Sequence, residues 1–314
     1  MQKSRVGTSS LETSRIAYGC WRLAGTWNPP EIGPDATDIA RRAIVAAIES
    51  GITLFDHADI YCQGAAETLF GKILKDIPGM RRQILIATKC GIRAKDTPST
   101  GAPYRYDFRK EYIVRSCESS LQRLGVDVID LYQLHRPDYL MDPMEVAEAF
   151  TLLREQGKVR EFGVSNFRPS QVEALQASLG FSLQVNQVEI SLFQLGPLEN
   201  GVLDQCLTRG MSPMAWSPLG GGKLADGSTR VLPSQQGYSS ERLLSLMDTM
   251  AREKSVSRAV IALSWLLKHP SEILPIVGSL QPERIQTVAA SNPDLLSHEE
   301  WYQLLAAARA EPLP

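Results

Sequence analysis

The feature that most constrains the fold of this chain is a regular alternation of short apolar stretches with longer stretches of helical spacing. Each apolar stretch reads as a buried strand, and each is followed by residues whose apolar positions recur every three or four places. Strands are predicted over residues 15–20, 51–54, 84–89, 128–132, 159–164, 183–188, 213–216 and 272–277. Helices are predicted over residues 37–50, 67–75, 111–124, 142–156, 169–177, 201–208, 240–253, 258–268 and 282–290.

This alternation predicts an α/β fold, and eight short units in sequence favour a closed (β/α)8 TIM barrel. A doubly wound open sheet also alternates strands with helices, so the pattern leaves it as the alternative. No Pro/Ser-rich or charged linker divides the chain, and we expect a single domain over residues 1–314. Two strand-like pieces around residues 7–10 predict an amino-terminal hairpin, and extra helices, including one near 297–309, close the carboxyl-terminal side.

The composition excludes several classes of partner. The 314 residues are 43% hydrophobic and 22% charged, and the formal net charge of −2 offers no basic surplus for nucleic acid or for an anionic membrane. No apolar segment approaches membrane-spanning length, and the amino terminus lacks the apolar core of a secretory signal. The five cysteines are scattered, without Cys-x-x-Cys spacing, which favours reduced thiols in a cytoplasm. No heptad predicts an oligomer, so we expect a monomer or a weak oligomer.

Four residues that can handle protons lie at consecutive strand ends. Asp56 and Tyr61 follow the second strand, Lys89 ends the third, and His135 follows the fourth. Closing a barrel brings such ends together at the face where catalytic groups lie. An ammonium beside a Tyr hydroxyl lowers the pKa of that hydroxyl from about 10, and a buried carboxylate keeps the ammonium charged. With His135 to bind a carbonyl oxygen, the set predicts a general acid that protonates an alkoxide during hydride reduction.

Each of these residues also has an ordinary structural explanation. An Asp after a strand is usually a cap or turn former, a Tyr usually packs, and a Lys at a strand end is usually solvated. A metal-dependent hydrolase built on His57, Asp59 and His135 is a further alternative. The chain has only four histidines, which argues against a histidine-rich metal site, so we expect no metal and assign His57 to the substrate pocket.

Two sequence motifs resemble those of the aldo-keto reductase family. The first is Gly51-x-x-x-Phe55-Asp56-x-Ala58-x-x-Tyr61, continued by Glu67 and Gly71. The second is Leu153-x-x-x-Gly157-Lys158-Val159-Arg160-x-Phe162-Gly163-Val164-Ser165-Asn166-Phe167. The resemblance runs from about residue 16 to residue 290. The stretch from Asp107 through His135-Arg136-Pro137-Asp138 to Trp216-Ser217-Pro218-Leu219 is similar to the YdhF-type bacterial oxidoreductases.

The resemblance implies an NADPH-dependent reductase that acts on a small carbonyl compound. Tyr61 would be its proton donor, supported by Lys89, Asp56 and His135. Ser165, Asn166 and Gln187 would hold the nicotinamide carboxamide, and Trp216 would stack on the nicotinamide ring. Further cofactor contacts are expected in three parts of the chain. The first part holds Ser217, Pro218, Leu219 and Gly220, and the second holds Gly278, Ser279, Gln281 and Arg284. The third is an early loop with Gly19, Trp21 and Arg22.

The adenosine end of the cofactor is expected near residues 278–284. Backbone N–H groups at a helix start, together with Arg284, could bind a 2′-phosphate there. The family often carries Lys at the position of Gly278 and Glu-Asn at the positions of Thr287 and Val288. The glycine-rich stretch over 220–237 predicts a loop that folds over the cofactor.

The substrate pocket is expected among the loops that carry Trp21, Trp27 and His57, which predicts an aromatic-lined, partly apolar site. The function that competes with turnover is that of a regulatory or redox-sensing subunit, because some members of the same family serve as channel subunits. An intact set of Asp56, Tyr61, Lys89 and His135 favours the enzyme.

Overall fold

The computed structural model describes residues 2–225 and 232–309, in which strands and helices alternate as the apolar spacing predicts. In chain order the strands are β1 (Lys3–Arg5), β2 (Glu12–Ser14), β3 (Ala17–Gly19), β4 (Leu54–Asp56), β5 (Leu85–Cys90), β6 (Ile92–Arg93), β7 (Arg105–Tyr106), β8 (Ile129–Leu134), β9 (Val159–Ser165), β10 (Val185–Glu189), β11 (Ser212–Trp216) and β12 (Leu274–Val277). The helices are α1 (Ala36–Glu49), α2 (Ala65–Asp76), α3 (Met80–Gln83), α4 (Lys110–Leu124), α5 (Pro143–Glu155), α6 (Pro169–Gln176), α7 (Gly196–Glu199), α8 (Val202–Arg209), α9 (Glu241–Glu253), α10 (Arg258–Leu267), α11 (Pro282–Val288) and α12 (His298–Arg309).

Eight of these strands form a closed parallel barrel in the order β3, β4, β5, β8, β9, β10, β11, β12. The last strand pairs with the first, with Ile276 opposite Ala17 and Val277 opposite Tyr18. A doubly wound sheet would leave two edge strands, so the closed ring confirms the predicted (β/α)8 barrel and excludes the alternative.

The predicted amino-terminal hairpin is present, and it closes one end of the barrel. Strands β1 and β2 pair antiparallel. The hairpin hydrogen-bonds to residues at the starts of barrel strands: Gly7 N donates to Ser212 Oγ (2.8 Å), and Ser14 N donates to Thr53 Oγ1 (2.9 Å). Its buried Val6 and Leu11 belong to the same core cluster as the inward side chains of the strands, namely Ala17, Leu54, Ala87, Leu131, Val185, Met214, Leu274 and Ile276. The open end of the barrel is therefore the one at the carboxyl ends of the strands.

Some boundaries differ from those predicted. The second barrel strand was predicted over 51–54 and lies at Leu54–Asp56, because Ile52 N still donates to Ala47 O (2.9 Å) and so finishes the preceding helix. The antiparallel pair β6–β7 and the short helices α3 and α7 were not predicted, since elements of two to four residues carry too few positions to show a period.

The glycine-rich loop predicted over 220–237 is described only in part, because residues 226–231 lie outside the described residues. On one side of that gap, residues Gly220–Gly222 form a 3-10 turn. The Lys223 ammonium donates to the backbone oxygens of Gln236 (2.7 Å) and Tyr238 (2.8 Å), so it joins the two described sides of the loop.

All five cysteines are free and buried. Across residues 2–225 and 232–309, no helix is both long and apolar enough to cross a bilayer. The same part of the chain contains no group of three or more His, Cys, Asp or Glu side chains arranged to hold a metal ion.

Helix packing gives one stability prediction, at Gly71 of α2. A Cβ at this position would lie 2.4 Å from Arg123 O and 2.8 Å from Leu124 O, both of which are backbone atoms that cannot rotate away. Gly71→Ala should therefore lower the free energy of unfolding by about 1–3 kcal/mol, despite the better helix propensity of Ala. Urea denaturation measures this.

The matched control is Gly33→Ala, because a Cβ at Gly33 meets no atom within 4 Å. That variant should stay within about 0.5 kcal/mol of the parent, as surface substitutions usually do. Equal stability of the two variants would contradict the close approach of α2 and α4.

Candidate active site

A fully buried ion pair lies at the carboxyl end of the barrel. The Lys89 ammonium donates to Asp56 Oδ1 (2.7 Å) and Oδ2 (2.8 Å), and its third hydrogen bond goes to the backbone oxygen of His57 (2.6 Å). Asp56 ends β4, and Lys89 lies in the neighbouring strand β5. Lys89 is 0% exposed and Asp56 is 2% exposed, so water does not compete for either group. The ammonium is fully satisfied and fixed in place.

Gln187 of β10 reaches the same carboxylate from across the barrel. Its Nε2 donates to Asp56 Oδ1 (2.9 Å), and the side chain is almost fully buried. The prediction placed Gln187 against a nicotinamide carboxamide. The structure places its amide nitrogen on the ion pair, which connects the predicted cofactor side of the site to the predicted proton-transfer side.

Tyr61 lies against this pair. Its ring centroid is 5.3 Å from Lys89 Nζ and 5.8 Å from the His135 ring, which it meets edge to face. The two residues after Tyr61 adopt left-handed backbone conformations, with φ of 45° at Cys62 and 53° at Gln63. Such strain persists only where surrounding contacts hold it, and it is enriched at functional sites. The three predicted partners Tyr61, Lys89 and His135 are thus brought together.

The pKa of Tyr61 corrects one expectation from the sequence. Burial raises this pKa, and the nearby Lys89 ammonium, which lowers it, does not fully compensate, so the pKa is above 10 rather than below it. For Lys89, burial lowers the pKa, but the Asp56 and Tyr61 groups outweigh it and the pKa is raised. The site therefore holds a protonated phenol beside a charged ammonium, which is the state that can donate a proton.

His135 is held neutral. Burial, the Lys89 ammonium and the Arg136 guanidinium each lower the pKa of its imidazole, which lies well below 6.5. Its backbone N donates to Cys90 O (2.8 Å), which anchors the residue just beyond β8. A neutral imidazole edge-on to Tyr61 can hydrogen-bond a carbonyl oxygen without adding a second positive charge.

A chain of hydrogen bonds joins the predicted nicotinamide-binding residues. Trp216 Nε1 donates to Asn166 Oδ1 (2.9 Å), Asn166 Nδ2 donates to Ser165 Oγ (2.8 Å), and Ser165 Oγ donates to Gln187 O (2.8 Å). Asn166 has a left-handed backbone, with φ of 62°. The chain brings Ser165, Asn166 and Trp216 to one side of the barrel mouth, beside His135, whose backbone oxygen accepts from Asn166 Nδ2 (3.3 Å).

A cavity of about 410 Å³ opens beside this group. Most of the predicted cofactor residues line it: Trp21, Arg22, Ser217, Pro218, Leu219, Gly278, Ser279 and Arg284. Gly19, Gly220 and Gln281 are not in its lining, although the backbone oxygen of Gly19 lies close to Gly278, which is part of the lining. The cavity is also lined by Ser257, Arg258 and Ala259 at the start of α10, which were not among the residues predicted from the sequence. Ser257 caps that helix by accepting from Val260 N (3.3 Å), so its position before a helical run was a usable indication.

The floor of the cavity is closely packed around Gly278. A Cβ there would lie 3.0 Å from Gly19 O and 3.1 Å from Trp21 Nε1. The strand end and the Trp21 indole therefore approach each other closely, and a side chain at this position would require one of them to shift.

His57 is not part of the pocket wall, contrary to the sequence-based prediction. Its side chain is 0% exposed, its ring lies 4.4 Å from that of Phe70 in α2, and burial lowers its pKa to about 3. Trp27 does lie at the mouth: it is 53% exposed and meets the Tyr61 ring edge to face at 6.1 Å. Trp21 packs against Trp27, with ring centroids 5.6 Å apart.

The three residues considered for a metal site point in different directions. His57 faces α2, while Asp59 faces α4, where its Oδ2 accepts from Ser116 Oγ (2.6 Å). Asp59 Oδ1 is enclosed and has no hydrogen-bond partner in the part of the chain that the structure describes. Burial raises the pKa of Asp59 to about 7, and the Ser116 hydrogen bond partly opposes that rise.

The chain is similar to proteins of known family. The model of the Aldo/keto reductase family matches residues 15–309. A 6-dehydroglucose reductase of Novosphingobium aromaticivorans is 41% identical, over 99% of this chain and 96% of that protein. Oxidoreductase YdhF of Escherichia coli is 37% identical over the full length of both, which confirms the resemblance to that type. The solved structure of a glycerol dehydrogenase from Gluconobacter oxydans has a TM-score of 0.82 and 26% identity, covering 99% of this chain and 97% of that one.

The buried Asp59 carboxyl predicts a pH-dependent contribution to stability. Its pKa is about 7 in the folded state and about 4 when unfolded. Between these values the folded state holds a proton that the unfolded state has lost, so this group makes the protein less stable as pH rises from 4 to 7. Asp59→Asn should remove that loss, and its stability advantage over the parent should grow across this range in urea denaturation at several pH values.

Ser116→Ala is the matched variant, because it removes the hydrogen bond that lowers the pKa of Asp59. It should extend the loss of stability to higher pH. Parallel stability curves for the parent and Asp59→Asn would show that Asp59 does not titrate in this range.

Proposed function

Because the chain belongs to the aldo/keto reductase family, we propose that it is an NADPH-dependent oxidoreductase that reduces an aldehyde or ketone to an alcohol, with Tyr61 as the proton donor. The observation that carries the proposal is the buried Asp56–Lys89 pair in contact with Tyr61. A surface lysine would be solvated and would do nothing for a distant phenol. Here the ammonium has no water to screen it, so it acts on Tyr61 more strongly than a solvated lysine would, although burial and the Asp56 carboxylate oppose its effect on the pKa.

The roles of the residues follow from their charges. When bound, the nicotinamide supplies the hydride for the carbonyl carbon. Tyr61 and neutral His135 hydrogen-bond the carbonyl oxygen, and Tyr61 gives its proton as negative charge develops there. Lys89 stabilises the phenolate that remains, and Asp56 keeps Lys89 charged. Gln187 holds the Asp56 carboxylate from the opposite side of the barrel.

The residues of the cavity fit a dinucleotide cofactor. Ser279 and Arg284 line the cavity beside the start of α11 and would donate hydrogen bonds to phosphate oxygens. The Arg136 guanidinium lies 5.3 Å from the centroid of the Trp216 ring. The Trp216 indole would stack on the nicotinamide.

Relatives suggest a class of substrate. One is named for 6-dehydroglucose and another for glycerol, and both of those compounds carry several hydroxyl groups. We therefore propose a small, hydroxyl-bearing carbonyl compound as the substrate. The buried, reduced cysteines support a cytoplasmic location.

Tyr61→Phe tests the proton donor. The variant should reduce aldehydes about 100- to 10,000-fold more slowly, which is the usual range for losing a general acid. Its affinity for NADPH, measured by quenching of protein fluorescence, should stay close to that of the parent. Tyr302→Phe removes a hydroxyl from the half-exposed face of α12 and should retain full activity.

Retained turnover in Tyr61→Phe would reject the assignment of the donor. If the parent binds NADPH but oxidises none across a panel of aldehydes and ketones, a cofactor-binding regulatory or redox-sensing subunit becomes the better function.

Arg284→Met tests the cofactor preference. If Arg284 binds the 2′-phosphate, the variant should bind NADPH about 10- to 100-fold more weakly, the range for a hydrogen bond to a charged group. Affinity for NADH, which lacks that phosphate, should change little. An equal loss for both cofactors would show that Arg284 acts on the shared part of the dinucleotide or on the fold.

A further inference from the structure

Arg136 is a charged group at the barrel mouth that the proposed proton transfer does not use. It follows His135 directly, at the carboxyl end of β8, and is half-buried. Its guanidinium lies over the Trp216 ring, 5.3 Å from the centroid. This contact holds the group beside the two rings that border the proposed reaction, those of His135 and Trp216.

The Arg136 guanidinium has no acceptor within the part of the chain that the structure describes. Throughout residues 2–225 and 232–309, it makes no hydrogen bond and no ion pair. The nearest acid in sequence, Asp138, is already used by backbone groups, since it accepts from Phe108 N (3.1 Å) and Leu140 N (2.9 Å). Five N–H donors of Arg136 are therefore left for water or for a ligand, in a place where the side chain is partly shielded from water.

The Arg136 charge nevertheless affects the pKa values of other groups around the mouth. It contributes to lowering the pKa of His135 and counteracts part of the rise that burial causes in the pKa of Glu189. Glu189 ends β10 opposite Trp216 in the strand register, and its Oε1 accepts from Gln235 Nε2 (2.6 Å). The mouth thus carries a guanidinium and a carboxylate near the same indole, without a direct ion pair between them.

From this arrangement we propose that Arg136 is a specificity-determining residue that donates hydrogen bonds to a hydroxyl group next to the reacting carbonyl. The inference rests on the proposed function, because it takes His135 and Tyr61 to hold the carbonyl oxygen. A substrate hydroxyl on the carbon next to the carbonyl then meets Arg136, which directly follows His135. The ring of Trp27 across the mouth offers an apolar surface for the carbon chain.

The charges favour a neutral hydroxyl over an anionic group. A substrate carboxylate or phosphate would gain Arg136 but would also approach the Glu189 carboxylate. A hydroxyl accepts from the guanidinium and carries no charge to be repelled, and it can also donate to an acid nearby. The ligand class is therefore an α-hydroxylated aldehyde or ketone rather than an aldehyde acid.

The test compares two aldehydes of equal carbon number, glyceraldehyde and propanal, with Arg136→Met and Arg136→Lys. In Arg136→Met the ratio of kcat/KM for glyceraldehyde to that for propanal should fall about 10- to 100-fold. Arg136→Lys should show a smaller fall, because Lys keeps the charge but loses the planar fork. The matched control is Arg154→Met, which removes an arginine that lies over another aromatic ring, 4.5 Å from the centroid of Phe181 and outside the barrel mouth. It should keep the parental ratio of kcat/KM for the two aldehydes.

A third aldehyde, succinic semialdehyde, separates hydroxyl from anion recognition. The parent should use it less efficiently than glyceraldehyde. A parental preference for the aldehyde acid that Arg136→Met abolishes would overturn the hydroxyl assignment, as would an equal loss for glyceraldehyde and propanal in that variant.

Binding of xylitol to the NADPH complex gives a measurement that needs no turnover. Calorimetry should show weaker xylitol binding in Arg136→Met than in the parent, and unchanged binding would contradict the inference. If the parent reduces no carbonyl compound, the proposed function fails, while the xylitol result still decides the role of Arg136. Thermal unfolding and NADPH affinity confirm that each variant is folded.

Discussion

The proposed chemistry of this protein depends on one buried ion pair, Asp56 with Lys89. Burying either charge alone would be very unfavourable, so each is stable only because the other is present. Three hydrogen bonds from the ammonium and one from Gln187 to the carboxylate complete the arrangement. The pair spans two adjacent strands, and Gln187 reaches it from a third strand across the barrel, so the complete arrangement requires a closed ring. Closure of the barrel therefore completes the site.

The fold could be predicted from the sequence because barrel strands and their helices carry strong periodic patterns. Boundaries were less predictable. At Gly51 the chain is still completing the end of α1, so β4, which carries Asp56, starts later than the apolar residues before it indicate. The antiparallel pair β6–β7 is too short to leave a period. Whether the sheet closes or stays open depends on the pairing of the first and last barrel strands, whose partners Ala17 and Ile276 are 259 residues apart in the sequence, and no local pattern reports such a contact.

The site was predictable where strand order determines position. Asp56, Lys89 and His135 follow consecutive strands, so their meeting follows from the barrel itself. Side-chain direction was harder. His57 directly follows Asp56, the last residue of β4, and successive side chains of extended chain point to opposite faces, so Asp56 enters the barrel while His57 faces α2. The sign of the pKa shift at Tyr61 also required the structure, because burial and the Lys89 charge act in opposite directions and only their surroundings decide which prevails.

The amino-terminal hairpin has a consequence for how protons reach the centre of the molecule. Val6 and Leu11 fill the end of the barrel where the strands begin, and a layer of apolar side chains lies between that end and Lys89. In the proposed reaction, Tyr61 must regain a proton after each turnover. We expect that proton to enter through the mouth, past the same aromatic and charged residues that admit the substrate. The substrate and the proton therefore use the same opening, and a bound ligand that fills this opening also isolates the Tyr61 hydroxyl from bulk water.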